Sequence, residues 1–148
     1  MDTLQGGCTC GAVRYSVKPG FRFKLYACHC TDCQTRTGSA FGLQLAVFPA
    51  DILVAGDTSC GEYRAPSGAQ VKVFGCSKCL TRLYTTNDRN PLAAIRAGTL
   101  DNSNELVPFA HFWVGSKQPW IVIPEGAAAL ETQPTSPEDW VKLLGPQA

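Results

Sequence analysis

Cys28-His29-Cys30-Thr31-Asp32-Cys33 decides the fold of this chain, because it places three thiols within six residues. Two shorter stretches share its character, Cys8-Thr9-Cys10 and Cys76-Ser77-Lys78-Cys79, so seven of the eight cysteines are clustered. A two-residue spacing lets a tight turn, or knuckle, present two sulfurs to one ion at about 2.3 Å. A one-residue spacing on a strand points both side chains to the same side. Thiolate-rich sites select zinc or iron–sulfur clusters, and we expect zinc.

The seven clustered thiols divide most naturally into a group of four and a group of three. A closed structural site usually takes one pair of ligands from each of two knuckles. The expected structural ligands are Cys8, Cys10, Cys76 and Cys79. The remaining three thiols would bind a second zinc with one position open, which is typical of catalytic zinc. The expected catalytic ligands are Cys28, Cys30 and Cys33.

Two other arrangements remain open at this point. One would group Cys8, Cys10, Cys28 and Cys30. It would leave Cys33 free. In the other, both sites are structural and His29 or His111 completes the second. His29 lies between two ligands, so on an extended segment it points to the opposite face. We expect His111 to be a hydrogen-bonded strand residue and Cys60 to be a half-buried apolar residue.

The composition excludes several classes of protein. A chain of 148 residues predicts one globular domain. Its formal net charge of +1 offers no general field for nucleic acid or anionic lipid. It has no apolar run of about 20 residues that would span a membrane. Its first residues do not show the basic stretch followed by an apolar stretch that is typical of a secretory signal, so we expect a cytoplasmic protein. In that compartment we expect the cysteines to bind metal and not to form disulfides.

Alternating apolar and polar residues between frequent turns predict a β-rich fold. Val13, Tyr15 and Val17, for example, alternate with polar neighbours. Short strands punctuated by Gly, Pro, Asn and Asp are typical of antiparallel sheets, so the expected class is all-β and mainly antiparallel. The predicted strands are Val13–Lys18, Phe21–Tyr26, Phe41–Phe48, Ile52–Val54, Val71–Phe74, Arg82–Thr85, Ala94–Ala97, Ala110–Val114 and Trp120–Ile123.

The composition changes after Pro124. We expect a zinc-binding β domain over residues 1–124, and a linker with a short helix over 125–148 that packs on the body or is mobile. Ser136 suits the helix N-cap, Pro137 its first turn and Gly145 its end. A helix of under three turns is marginal alone, which is why it must dock or move.

Several motifs, taken in order from Leu4 to Pro124, resemble the glutathione-dependent formaldehyde-activating enzyme family, also called the centromere protein V/GFA family. The motifs are Gly6-Gly7-Cys8-Thr9-Cys10-Gly11-Ala12-Val13-Arg14-Tyr15, Cys28-His29-Cys30-Thr31-Asp32-Cys33, Thr37-Gly38-Ser39-Ala40-Phe41, Glu62-Tyr63-Arg64, Phe74-x-Cys76-x-x-Cys79, Ile95-Arg96-Ala97-Gly98-Thr99-Leu100-Asp101 and His111-x-Trp113-x-x-Ser116-Lys117-x-x-Trp120. One departure is visible, since Leu80 stands where the family normally has glycine. Glycine would allow a positive φ in the knuckle turn, so we expect a modified turn at Leu80.

The resemblance implies an Mss4-like β-tent of packed short-stranded sheets that holds two zinc ions. It implies the same ligand sets as the spacing, structural for the four thiols and catalytic for the three. The activity it implies is S-(hydroxymethyl)glutathione synthesis, a carbon–sulfur lyase reaction, with a small thiol such as glutathione and a small aldehyde such as formaldehyde as substrates. The alternative is a non-enzymatic, zinc-stabilised binding or chaperone-like module, since a fold hosts many functions. A homo-oligomer is left open.

A zinc carrying three thiolates is a weak Lewis acid, but it deprotonates a coordinated thiol. We therefore expect the substrate thiol at the open position of the three-thiol site. The loop Thr35–Ser39 would supply backbone N–H groups and hydroxyls for the developing alkoxide. Glutathione has two carboxylates, so cations are expected nearby. The candidates are Arg36, Arg64, Arg82, Arg96 and Lys117.

Overall fold

The computed structural model describes residues 3–20 and 22–146, which form eleven strands and two α-helices. The strands are β1 (Leu4–Gly7), β2 (Arg14–Val17), β3 (Tyr26–Cys28), β4 (Gly42–Val47), β5 (Ile52–Ala55), β6 (Thr58–Arg64), β7 (Gln70–Cys76), β8 (Arg82–Asn87), β9 (Asn90–Arg96), β10 (Ala110–Phe112) and β11 (Ala128–Leu130). The helices are α1 (Thr31–Thr37) and α2 (Pro137–Leu144). The predicted class, mainly antiparallel β with a short C-terminal helix, is confirmed.

The chain folds as two compact units, each built from separate chain segments. The first unit contains residues 3–20 and 46–104, and the second contains residues 22–45 and 105–146. The domain division predicted at Pro124 stays a prediction. Neither of the helices in the described part of the chain is long and apolar enough to cross a membrane.

The first unit contains two antiparallel arrangements of strands. In one, β2 pairs with β1 and with β5, so that Tyr15 lies opposite both Gly6 and Val54. In the other, β6, β7, β8 and β9 follow one another as hairpins. On β2, Tyr15 and Val17 are buried while Arg14 is exposed, as the alternation predicts. This apolar face of β2 forms part of the core of the unit.

The second unit is a mixed sheet. β3 pairs with β4 antiparallel, with Ala27 opposite Leu43, and with β10 parallel, with Ala27 opposite His111. β11 adds to the other side of β10, also parallel. This pairing places the end of β3, which carries Cys28, between β4 and β10.

An aromatic cluster joins helix α2 to this sheet. The ring of Trp140 lies 5.2 Å from that of Tyr26 and 5.4 Å from that of Phe112, both in edge-on geometry. The helix begins as predicted, because Ser136 Oγ accepts the Asp139 N–H at 3.1 Å. It ends at Gly145, whose N–H donates to Val141 O at 2.8 Å. Its capping residues therefore fix both of its ends.

Two of the predicted strands are wrong, and one helix escaped prediction. Residues 22–25 form no strand; Lys24 N–H donates to Leu144 O at 2.7 Å outside any ladder. Phe21 lies outside the described residues. Trp120–Ile123 is also irregular, because Pro119 and Pro124 flank it and the Ile121 N–H closes a turn onto Gln118 O. Helix α1 occupies the stretch that the sequence presented as a metal knuckle and loop.

Candidate metal centres

The first thiol cluster, Cys8, Cys10, Cys76 and Cys79, lies in the first unit. Its four sulfur atoms are within 4.8 Å of one another. The Cys8 and Cys10 sulfurs are 3.6 Å apart, and those of Cys10 and Cys76 are 3.8 Å apart. Four sulfurs placed tetrahedrally at about 2.3 Å from an ion are separated by about 3.8 Å. The four side chains therefore fit a tetrahedral thiolate site.

Two similar turns present these sulfurs. In the first turn, Cys8 N–H donates to Val13 O at 3.1 Å, and Gly11 has a φ of 82°. In the second, Leu80 N–H donates to Cys76 O at 2.9 Å, and Leu80 has a φ of 61°. Our expectation of a modified turn at Leu80 is therefore wrong. Leucine adopts here the left-handed conformation that glycine adopts without strain.

Hydrogen bonds favour the thiolate form in the second turn. The N–H groups of Lys78 and Cys79 point to Cys76 Sγ at 3.3 and 3.4 Å. The Thr81 hydroxyl lies 3.1 Å from Cys79 Sγ. Hydrogen bonds from this hydroxyl, from the Thr81 N–H and from the Cys10 N–H lower the pKa of Cys79 to about 5. Donors that stabilise a charged sulfur suit a metal ligand, because the thiolate is the form that binds.

The second thiol cluster, Cys28, Cys30 and Cys33, lies in the second unit. Cys28 ends β3, Cys30 is the N-cap of α1 and Cys33 is buried in its first turn. The three sulfur atoms lie within 4.8 Å of one another. Across residues 3–20 and 22–146, no fourth Cys, His, Asp or Glu joins them. The donor set fits a thiophilic ion such as zinc that keeps one position for another ligand.

Hydrogen bonding makes the three thiols of this cluster inequivalent. Cys30 Sγ accepts the Cys33 N–H at 3.3 Å, and Gln44 Nε2 donates to Cys33 Sγ at 3.6 Å. Hydrogen bonds from Cys28 and Cys33, and from the N–H groups of Cys33 and Asp32, lower the pKa of Cys30. Cys28 has a raised pKa, because it hydrogen-bonds to Cys30 and Cys33 and is buried. Without metal, one thiol therefore ionises first, and an incoming ion displaces the remaining protons.

His29 supports the second cluster but does not face it. Its N–H donates to Phe112 O at 2.9 Å, and its carbonyl accepts hydrogen bonds from Ser116 Oγ and Gln34 Nε2 at 3.0 and 2.9 Å. Its Nε2 lies 2.9 Å from His111 Nδ1. Burial lowers the pKa of both histidines. The two rings bind each other, and the backbone between Cys28 and Cys30 is held at three points.

An open cavity of about 480 Å³ is lined in part by α1, the helix that carries Cys33. Its lining residues are Gln34, Thr35, Gly38, Ser39, Ala40, Gln118 and Trp120. Gln34 follows Cys33 directly, and its backbone N–H donates to Cys30 O at 3.0 Å. The same residue bonds to the His29 carbonyl through its side chain. One wall of the cavity is thus hydrogen-bonded to the segment that carries the three thiols.

The segment after β10 contributes Gln118 and Trp120 to the lining of the cavity. Trp113 has a φ of 58°, which turns the chain into a single 3-10 turn over Val114–Ser116. Ser116 O then accepts Gln34 Nε2 at 2.9 Å, and Gln118 Nε2 donates to Gln34 Oε1 at 3.4 Å. Finally, Trp120 Nε1 donates to Gln118 Oε1 at 2.7 Å. A chain of side-chain hydrogen bonds therefore runs from α1 to an exposed indole.

We expected the loop Thr35–Ser39 to offer backbone N–H groups and hydroxyls to an alkoxide, and this expectation is wrong in part. The Gly38 N–H donates to Gln34 O at 2.9 Å, and the Ser39 N–H donates to Thr37 Oγ1 at 3.2 Å. These amides cap the C-terminus of α1, where Gly38 has a φ of 65°. These two N–H groups already have acceptors and are not available to an alkoxide. Of the residues we expected, Thr35, Gly38 and Ser39 do line the cavity.

None of the five candidate cations lines the cavity. Arg36 and Lys117 belong to the same unit as the three-thiol cluster, but neither is among the lining residues.

Cys60 belongs to neither thiol cluster. Its side chain is exposed on β6, so our expectation of a half-buried residue is wrong.

Comparisons with known proteins identify the family of this chain. A model of the family described as glutathione-dependent formaldehyde-activating enzyme matches residues 3–116. The chain belongs to this family. A protein of Halomonas elongata, provisionally named a glutathione-dependent formaldehyde-activating enzyme, is 26% identical over 126 residues, which are 81% of this chain and 80% of the relative. A Rhodobacter sphaeroides protein of known crystal structure shares the fold with a TM-score of 0.53 at 20% identity, over 70% of this chain and 97% of its own.

The sequence motifs of the family include the thiols but gave no role to three side chains of the site. Gln34, Gln118 and Trp120 form the hydrogen-bonded walls of the cavity. Gln34 and Gln118 are 84 residues apart, so no local spacing connects them. The only sequence signal was Gly38, which ends α1 and could have indicated a helix in the preceding turn.

Proposed function

We propose that this member of the family is a zinc-dependent enzyme of the carbon–sulfur lyase class that joins a small thiol to a small aldehyde, resembling S-(hydroxymethyl)glutathione synthase. The observation that carries the proposal is the second thiol cluster, in which three thiols lie within 4.8 Å of one another and the helix that carries Cys33 lines a cavity. Closed structural zinc sites have four protein ligands, whereas three ligands are typical of catalytic ones.

In this proposal Cys28, Cys30 and Cys33 hold the catalytic zinc. Bound there, zinc would supply one kind of chemistry, which is to lower the pKa of a substrate thiol at its open position. The protein thiols themselves remain ligands. Cys30 and Cys33 accept hydrogen bonds from the Cys33 N–H and from Gln44, which stabilise their negative charge.

The proposed reaction is an addition of the thiol across the carbonyl group. The sulfur forms a bond to the aldehyde carbon, the carbon–oxygen π bond breaks, and the thiol proton ends on the oxygen. Thr35 and Ser39 line the cavity, so their hydroxyls are the donors available to the developing alkoxide.

The first thiol cluster completes the proposal as a structural zinc site of Cys8, Cys10, Cys76 and Cys79. Four sulfurs leave no position for substrate, so this ion would tie the two turns together. A cytoplasmic location belongs to the same proposal. All eight cysteines are free thiols, and a reducing compartment keeps them available to metal.

The test is the exchange rate between ¹³C-formaldehyde and its glutathione adduct, measured by exchange NMR with the zinc-loaded protein. Formaldehyde and glutathione combine without a catalyst, so the quantity to compare is the acceleration over that background. We expect acceleration by the natural protein and none by Cys30→Ser, which removes one of three ligands.

Cys60→Ser is the matched control, because Cys60 is exposed and lies in neither cluster. It should accelerate exchange as well as the natural protein does. Equal acceleration by the Cys30→Ser variant would contradict the role of the second cluster. No acceleration by the fully zinc-loaded natural protein would favour the zinc-stabilised binding module.

A further inference from the structure

The cavity beside helix α1 has an unusual lining for a site expected to take glutathione. Its described lining residues are uncharged, and their polar groups are amides, hydroxyls and an indole. Two cations adjoin these residues in the sequence, Arg36 next to Thr35 and Lys117 next to Gln118. Neither lines the cavity, and Lys117 Nζ donates to Ile121 O at 3.0 Å. Proteins that read carboxylates usually do so with Arg or Lys.

The hydrogen-bonding capacity of the lining can be counted. Both Nε2 hydrogens of Gln34 are used, since they donate to His29 O and Ser116 O at 2.9 Å. The indole N–H of Trp120 is used by Gln118 Oε1. Gln118 Nε2 donates one hydrogen to Gln34 Oε1, and its other hydrogen has no acceptor among the described residues. Gln118 is therefore the amide in this wall that still has a donor to offer a ligand.

Trp120 adds a flat apolar surface beside this donor. Trp120 is 70% exposed, and its indole N–H donates to Gln118 Oε1 at 2.7 Å. An aromatic face next to an amide donor suits a neutral peptide group, which has both a planar surface and a carbonyl acceptor.

We infer that this cavity takes an amide-bearing thiol and recognises its uncharged peptide groups, with Gln118 as the specificity-determining residue, while its carboxylates remain in solvent. The inference rests on the proposed function, because it takes the occupant to be the substrate thiol. A neutral thiol amide or ester is then as good a ligand as the charged peptide.

The experiment measures thiol binding to the zinc-loaded protein by calorimetry, without aldehyde, so that it does not depend on turnover. The probes are glutathione, glutathione diethyl ester and 2-mercaptoethanol. We expect the first two to have dissociation constants within threefold of each other, at both low and high salt. An ion pair to a carboxylate would make the ester bind about tenfold more weakly or worse, and that result would overturn the inference.

The Gln118→Leu variant tests the specificity-determining residue. A neutral hydrogen bond contributes about 2- to 13-fold in affinity, so we expect a loss in this range for glutathione and for its ester. Binding of 2-mercaptoethanol, which has no amide, should not change. An equal loss for all three thiols would indicate general damage to the site and would overturn the role of Gln118.

Gln133→Leu is the matched control. Gln133 also accepts an indole N–H, from Trp113 at 3.2 Å, but it does not line the cavity. It should leave all three affinities unchanged, and a loss equal to that of Gln118→Leu would overturn the assignment. Failure of glutathione and its ester to bind overturns the inference alone if the exchange assay shows catalysis. Absence of both binding and catalysis would overturn the proposed function too.

Discussion

Leu80 is the residue whose replacement should stabilise this fold. It follows Cys79 in the second knuckle and has a φ of 61°, a conformation that costs an L-residue about 1–2 kcal/mol. Its side chain is 74% exposed, so its truncation removes little packing. Glycine at this position relieves the strain. It also raises the entropy of the unfolded chain, which cancels about 0.5–1 kcal/mol of the stability gained.

The informative comparison is between Leu80→Gly and Leu80→Ala. Both variants lose the same small contact of the leucine, but alanine keeps the Cβ that makes the conformation strained. We expect the glycine variant to be more stable than the alanine variant by about 0.5–1 kcal/mol, or about 2–3 °C in melting temperature for a chain of this size.

The assay is urea denaturation of both variants at the same free zinc concentration, because bound metal adds to the free energy of unfolding. Equal m-values would show that the unfolded states are comparable. A glycine variant no more stable than the alanine variant would refute the strain at Leu80.

The remaining predictions concern the second unit. Trp140→Ala should lower the free energy of unfolding by about 3–5 kcal/mol, because it empties the aromatic cluster; Trp140→Phe should cost less in the same urea experiment. Tyr26→Phe removes the O–H that donates to buried Gln44 Oε1 at 2.9 Å and should cost about 1–3 kcal/mol, whereas no measurable cost would contradict that bond. Burial lowers the pKa of His29 and His111 from the usual 6.5, so the stability that their neutral forms provide is present above pH 6.5 and lost as the pH falls below it. Protonation would add a donor to a pair whose remaining ring nitrogens, His29 Nδ1 and His111 Nε2, are buried without a partner among the described residues; NMR titration of either imidazole at or above 6.5 would contradict this.

The sequence predicted those features that depend on local spacing. The spacing of the cysteines indicated both thiol clusters, because ligands of one ion must lie in short turns or on one side of a strand. The alternation around Tyr15 predicted β2, and Ser136 and Gly145 predicted the ends of α2. Each of these signals lies within a few residues of the structure that it predicts.

The walls of the cavity could not be predicted in this way. Helix α1 has only seven residues and a cysteine as its N-cap, so propensity and capping rules give little signal for it. The bond between Gln34 and Gln118 depends on the pairing of β3 with β10, which brings distant segments together. Trp120 resembled a strand residue because it begins an apolar run, but the flanking prolines prevent a ladder.

The two turns of the first cluster illustrate the same limit. Gly11 could be predicted to have a positive φ, because glycine adopts that conformation readily. Leu80 could not, since its conformation follows from the position of Cys76 and Cys79 around a shared site and not from its own preference. Tertiary geometry overrides local propensity there.

The most direct test of two zinc sites with different roles is the zinc content per chain before and after a mild chelator, with folding followed by circular dichroism. We predict two zinc ions in the natural protein, one of which leaves while the β structure persists. Cys30→Ser should fold with the resistant ion alone, and Cys60→Ser should retain both. Two ions that leave only as the chain unfolds, or loss of both ions and of the fold in Cys30→Ser, would contradict the division into a structural and a catalytic site.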